Sequence, residues 1–448
     1  MSIEKAFPSP DLDLAALTAH VGQAALASSV WHHYACKLIT PMYGGGVKGG
    51  EVDRSMPIRA TAIRGQLRFW WRLLNRGRFR CGDKLNHRAL FEAERAIWGG
   101  LGDKRTLATS KVIVRVVAPK VPVGQLESST DRTSDRDIAY AFGAAANNGV
   151  SSWLKAGYEW SLHIFAPLEL WPTVEETLRW WSCFGGVGAR VRRGFGAVQV
   201  SQHEIDGDTR PMSPIGKDEA RAHGMRLIIR EDASQDPTIA WKSAAAALRE
   251  FRQGEGHGRK TRREGDTDGR SPGRSHWPEP DAIRTIVGKW FGKSEPACHM
   301  VKNKKTGQSE PVGNPHDHAP RHPAGTVFPR AAFGLPIIFH FKDKGEPSPD
   351  IQLIPDNGSD RLASPLILRP YRDDAGKWRP SALCLPVGHV WKMGVRFKDR
   401  TETFSAGTWW PAKDHRKALA DHIPPIAATG LDDPLSAFLK FFKQQGDR

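Results

Sequence analysis

Long apolar stretches are missing from this 448-residue chain. No run approaches the roughly 18 apolar residues that a membrane-spanning helix needs, which argues against a membrane protein. The first residues include Glu4, Asp11 and Asp13 rather than a basic stretch followed by an apolar core, so no secretory signal is expected there. Cysteine is scarce: five (Cys36, Cys81, Cys183, Cys298 and Cys384) lie scattered, none in a C-x-x-C pair. Neither a disulfide framework nor a cysteine zinc site is written in that pattern, and the expected compartment is the reducing cytoplasm. Acidic residues are outnumbered, 49 against 65 Lys and Arg, for a net charge of +16.

What is present suits two or three packed domains. Hydrophobic residues make up 39% and charged residues 25%, enough for a core and against wholesale disorder. The 44 glycines and 32 prolines imply many loops on an ordered scaffold. A surplus of +16 makes a polyanion partner plausible, because each neutralised phosphate releases counterions. Net charge alone leaves open a basic protein without such a partner, so the placement of the charges has to decide.

The pattern along the chain predicts a strand over 30–40, a glycine-rich loop, a helix over 61–76 and a second helix over 90–98. Strands over 111–118 and 158–167 follow, then a helix opening at Pro172 with Val174, Leu178 and Trp181 as its apolar stripe. That helix stops at Gly185-Gly186, and a strand over 196–200 closes the set. The order β-α-β-β-α-β is the ferredoxin-like arrangement, also used by RRM-type RNA-binding modules. From Met212 a similar series begins, giving an α+β chain of two ferredoxin-like domains with loop insertions, 1–211 and 212–448. Polar residues 125–137 read as a loop, and the basic, glycine-rich 253–280 as a mobile insertion.

Three segments carry candidate chemistry. On the helix over 61–76, Ile63, Leu67, Trp70 and Leu74 form the core stripe, while Arg64, Arg68, Arg72 and Arg76 recur every fourth residue. Each step advances about 6 Å, comparable to phosphate spacing on an extended strand. Like charges at that spacing cost on the order of 1 kcal/mol over the helix, and no acid lies between Arg59 and Arg80 to offset them. A bound polyanion would, and a solvated basic face is the other reading. Phe69 beside the arginines either stacks on a base or packs under a neighbouring helix. The loop Gly44-Gly45-Gly46 with Lys48 lets backbone N–H groups approach phosphates, without P-loop spacing. The second loop joins Arg190, Arg192 and Arg193 to Gly194-Phe195-Gly196, offering phosphate contacts and a stacking ring.

Catalytic and metal constellations are weak, so neither catalytic nor metal residues are assigned and no cofactor is expected. His32 and His33 are adjacent on a strand and point to opposite faces. His316, His318 and His322, with Cys298 and His299, match no standard zinc spacing.

Thr40-Pro41-x-Tyr43-Gly44-Gly45-Gly46, Pro57-Ile58-Arg59, Ile63-Arg64-Gly65-x-Leu67-Arg68-Phe69-Trp70-Trp71-Arg72 and Glu94-x-x-Ile97-Trp98-Gly99 resemble the RAMP subunits of the Cmr complex, the type III-B CRISPR effector. Within that complex the resemblance is to the first-numbered subunit. Arg193-Gly194-Phe195-Gly196 is similar to the glycine-rich loop of the RAMP superfamily. Arg330 through Ile337 and Arg361 through Leu366 also fit.

The resemblance implies two ferredoxin-like RAMP domains in a non-catalytic subunit of an antiviral ribonucleoprotein. It implies contacts with guide RNA, target RNA or both near the guide 3′ end, and with other RAMP subunits. The two glycine loops and the arginine helix would converge on one RNA-facing surface, with Arg59 and Arg330 as secondary contacts. Two alternatives stay open: a metal-independent endoribonuclease that processes CRISPR transcripts through His32 or His33, and a purely structural assembly subunit.

Overall fold

The computed structural model describes residues 29–82, 84–102, 106–128, 135–143, 152–203, 209–261, 275–291, 299–302, 309–312, 322–341, 350–386, 392–397, 403–411 and 413–446. The chain is mixed α and β, built on small antiparallel sheets. It divides into two compact units. The first comprises Met1–Glu127, Ser152–Gly188 and Val198–Ser213; the second comprises Ser128–Ser151, Ala189–Ala197 and Pro214–Arg448.

The first unit holds strand β1 (Ser29–Leu38), helices α1 (Ala60–Asn75) and α2 (His87–Trp98), strands β2 (Ile113–Val117) and β3 (Glu159–Pro167), helix α3 (Trp171–Phe184), and strands β4 (Val198–His203) and β5 (Thr209–Pro211). Their sheet runs β5-β4-β1-β3-β2, every pair antiparallel. Alternation in β1 sets its faces: Tyr34, Cys36 and Leu38 are buried while Trp31, His33 and Lys37 are exposed. On α1 the predicted stripe is the core face, with Ile63, Leu67, Trp70 and Leu74 buried and Trp71 beside them. Val174, Leu178 and Trp181 do the same on α3, whose first turn contains Pro172 and whose C-cap is Gly185. A β-carbon on Gly185 would lie 2.2 Å from the Trp181 ring, so only glycine fits that turn. Asn86 caps α2 by accepting from the Ala89 N–H, which starts that helix three residues earlier than the apolar pattern alone predicts.

The second unit contains helix α4 (Lys217–Ala222), strand β6 (Arg226–Ile229), helix α5 (Pro237–Gln253), strands β7 (Leu366–Arg372) and β8 (Trp378–Cys384), and helix α6 (Pro434–Gln444). Its three-stranded sheet runs β6-β8-β7, antiparallel throughout. A four-stranded antiparallel sheet is made by Ile337–Phe339, Ile351–Pro355, Lys392–Phe397 and Phe404–Thr408. Alanines 244 and 247 with Leu248 and Phe251 on α5, and Phe438, Phe441 and Phe442 on α6, share one core with Leu366, Leu368, Ala382 and Cys384. Small residues on α5 let it lie close to the sheet.

The segments expected as irregular insertions are partly built in. In 125–137, Asp135 caps the helix Arg136–Phe142. In 253–280, Trp277 is 1% exposed and donates to the Arg252 carbonyl, and Glu279 is fully buried. Residues 262–274 lie outside the described residues. So do Cys298, His316 and His318, while the His322 ring is bonded to the His276 carbonyl. Among the described residues no helix is long and apolar enough to cross a membrane, and no group of three His, Cys, Asp or Glu could hold a metal.

Candidate nucleic-acid interface

The arginines of α1 are engaged by α2. Glu94, 1% exposed, receives Arg68 Nε and, at 2.7 Å, Arg72 Nη1 on the same oxygen. Arg64 donates to the Trp98 carbonyl, and burial followed by the charge of Arg68 holds its guanidinium below the ordinary arginine range. The repulsion along α1 is therefore offset by a carboxylate on the next helix, 22 residues beyond Arg72, rather than requiring an external polyanion. Phe69 is half-buried and meets Trp70 edge-on at 5.5 Å. Arg59 pairs with Asp53 at 3.6 Å, and exposed Lys48 with Glu51 at 2.7 Å.

Within the first unit the glycine loop meets the opening of the second loop. A β-carbon on Gly45 would come within 3.5 Å of Gly188, and one on Gly188 would strike the Tyr43 carbonyl and Met42 at 2.6 Å. Gly44 and Gly46 flank that approach, with the Gly46 N–H donating to the Glu51 carbonyl.

The remainder of the second loop folds into the second unit, and here three expectations need correction. Phe195 is fully buried between Phe142 and Trp241, so its ring is core and offers no stacking face. Arg193 is enclosed: it donates to the Phe333 carbonyl at 3.2 Å and to Ser364 Oγ, and burial pushes its pKa down to about 10. Arg330 is likewise enclosed, bonded to Glu279 at 2.9 Å. Buried guanidiniums cannot also grip a phosphate from solvent. Arg192 donates to the Ser364 carbonyl, and Arg190, exposed, adopts the left-handed conformation at φ 61°. Gly194 makes room for Trp241, whose ring would lie 2.3 Å from any β-carbon there; Gly196 is buried beside it with φ 62°.

The first sheet carries a surface that residue-by-residue reading misses. The register places Trp31 opposite Phe165, and Phe165 opposite Ile113, in one cross-strand row. Trp31 and Phe165 lie 5.3 Å apart between ring centroids, and Trp31 and Ile113 are 39% and 49% exposed. The next row on that face sets His33 opposite His163, and His163 opposite Arg115. His33 and His163 approach Nδ1 to Nδ1 at 2.5 Å. Burial, then the charges of His33, Arg115 and His203, holds the His163 imidazole below its ordinary range. His32 points the other way and stacks on Trp171 with centroids 3.3 Å apart. Aromatic faces beside basic groups on an open sheet can stack bases and hold phosphates together. The signal lay in the alternation of each strand, but only the register joins the strands into one face.

Residues 35–199 match the RAMP superfamily model. The match opens inside β1 and closes inside β4. Among solved structures the chain is similar to Cmr1 from Pyrococcus furiosus in its apo form, at 13% identity, covering 88% of this chain and 97% of that one, with a TM-score of 0.44. It is also similar to a chain of the type III-B Cmr-beta complex bound to cognate target RNA, at 9% identity, covering 89% and 99%, with a TM-score of 0.40. No curated protein matches.

Proposed function

We propose that the chain is a non-catalytic RNA-binding subunit of a type III-B CRISPR ribonucleoprotein in the cytoplasm, its two units each a ferredoxin-like RAMP domain. In this reading it holds guide RNA, target RNA or both near the guide 3′ end, with other RAMP subunits as neighbours. The observation that carries RNA binding is the open face of the first sheet, where Trp31 and Phe165 lie beside Arg115 and the histidines. The superfamily match over 35–199 and the motifs around Gly44–Gly46 and Arg64–Arg72 support the assignment to this kind of complex.

Filter binding of single-stranded RNA tests it. Trp31→Ala is expected to weaken binding about tenfold by removing a stacking ring. Arg115→Glu is expected to make the log–log salt slope shallower by about 0.7, the share of one neutralised phosphate on a single strand. Wild-type affinity in both variants would remove the sheet face from the RNA path. Ultraviolet crosslinking within the assembled complex separates direct RNA binding from a purely structural role.

The short His33–His163 contact favours a second reading, metal-independent cleavage by imidazole acid–base chemistry. Incubation with repeat RNA in EDTA is expected to leave the RNA intact. Defined cleavage that His33→Ala or His163→Ala abolishes would replace the non-catalytic reading.

A further inference from the structure

The two units differ at one edge. In the first, β4 lies against β1 and completes the series β-α-β-β-α-β. The second repeats the series through β6, α5, β7, β8 and α6, but β6 pairs only with β8 among the described residues. The position that β4 takes beside β1 is, beside β6, a groove of about 570 Å³. It runs between α4 and α6, with Met225, Leu227 and Leu439 among its apolar residues.

The register fixes which backbone groups face it. The Arg230 N–H donates to the Pro380 carbonyl, on the β8 side. Antiparallel pairing alternates, so Ile228 and Arg226 turn the same way and Leu227 and Ile229 present N–H and C=O groups to the groove. The lining carries six basic side chains against one carboxylate, Glu231. Arg230 is held by Asp232 at 2.8 Å, and Lys440 donates to the Thr429 carbonyl at 2.8 Å. Lys217 and Lys443 make no ion pair among the described residues, although both line the groove.

We propose that the β6 edge is a docking site for an extended, acidic segment of a partner protein, added antiparallel as a fourth strand. Main-chain pairing supplies the affinity, and the lysine and arginine rim admits carboxylates while rejecting basic strands. A phosphodiester chain would satisfy the rim, but it has no regular donors for the Leu227 and Ile229 carbonyls, which favours peptide over RNA. This inference does not depend on the RNA face of the first unit.

Fluorescence anisotropy with a labelled peptide alternating glutamate and valine tests it on the full chain. Binding is expected, about tenfold weaker in the pair Lys217→Glu with Lys443→Glu at low salt. Ile229→Pro removes one outward N–H and no β8 bond, and is expected to weaken binding about fivefold. Should that variant not fold, the charge pair decides alone. Absence of peptide binding, or wild-type affinity in the charge pair, overturns the proposal. So does a folded Ile229→Pro protein that binds like wild type, since the site would then recognise charge only; short RNA competing the peptide away would identify it as a phosphate site. Slow amide exchange at Leu227 and Ile229 without peptide would show the chain covering its own edge, and overturns it too.

Discussion

Glu94→Ala is expected to destabilise the first unit by about 3 kcal/mol, read as a lower urea midpoint of the buried-tryptophan signal from α1. The carboxylate is 1% exposed and one oxygen holds both Arg68 and Arg72, so its removal leaves two guanidiniums facing each other without a counter-charge. Breaking a buried pair from one side typically costs about 3–5 kcal/mol. The lower end applies because the Arg72 side chain is 42% exposed and water screens its share. Arg68, 25% exposed, carries most of the effect. Among the described residues Glu94 Oε2 has no partner, so its desolvation is uncompensated there. Glu94→Leu combined with Arg68→Met should therefore recover much of the stability. A change under about 1 kcal/mol in Glu94→Ala would mean the cluster behaves as a surface pair.

Gly194→Ala is expected to be as damaging to the second unit, at about 3 kcal/mol. Its new methyl would sit 2.3 Å from Trp241 Cδ1 and 2.8 Å from the Leu368 carbonyl oxygen, at φ +84°. Left-handed backbone costs a non-glycine residue about 1 kcal/mol, and overpacking a core about 1–3 kcal/mol more. Moving the indole away also breaks its 2.7 Å bond to the Arg193 carbonyl. Gly224→Ala is the control: φ is +72° there but nothing lies within 4 Å, so only the conformational cost should appear. Equal destabilisation in the two variants, by thermal unfolding, would discard the packing explanation.

These two sites mark where sequence reading succeeds and fails. Periodicity on α1 and α3 identifies the buried stripes correctly, because a 3.6-residue repeat is a local property. The partner of Arg68 is not local; it comes from another helix, and nothing near Arg59–Arg80 announces it. Arg193-Gly194-Phe195 reads as a phosphate loop for the same reason. Glycines that let a backbone approach an anion equally let it approach an indole, and only packing distinguishes the two. Trp31 and Phe165 are each legible as strand residues, but their meeting depends on register between strands far apart in sequence.

The threading of the chain also limits how it can be dissected. Ala189–Ala197 and Ser128–Ser151 are borrowed from the first half to finish the second unit, carrying Phe195 and Phe142 into its interior. A fragment begun at Pro214 would lack both rings and the Arg193 clasp together. Taking the protein apart into working halves therefore calls for rejoining segments in a new order, not for a single cut.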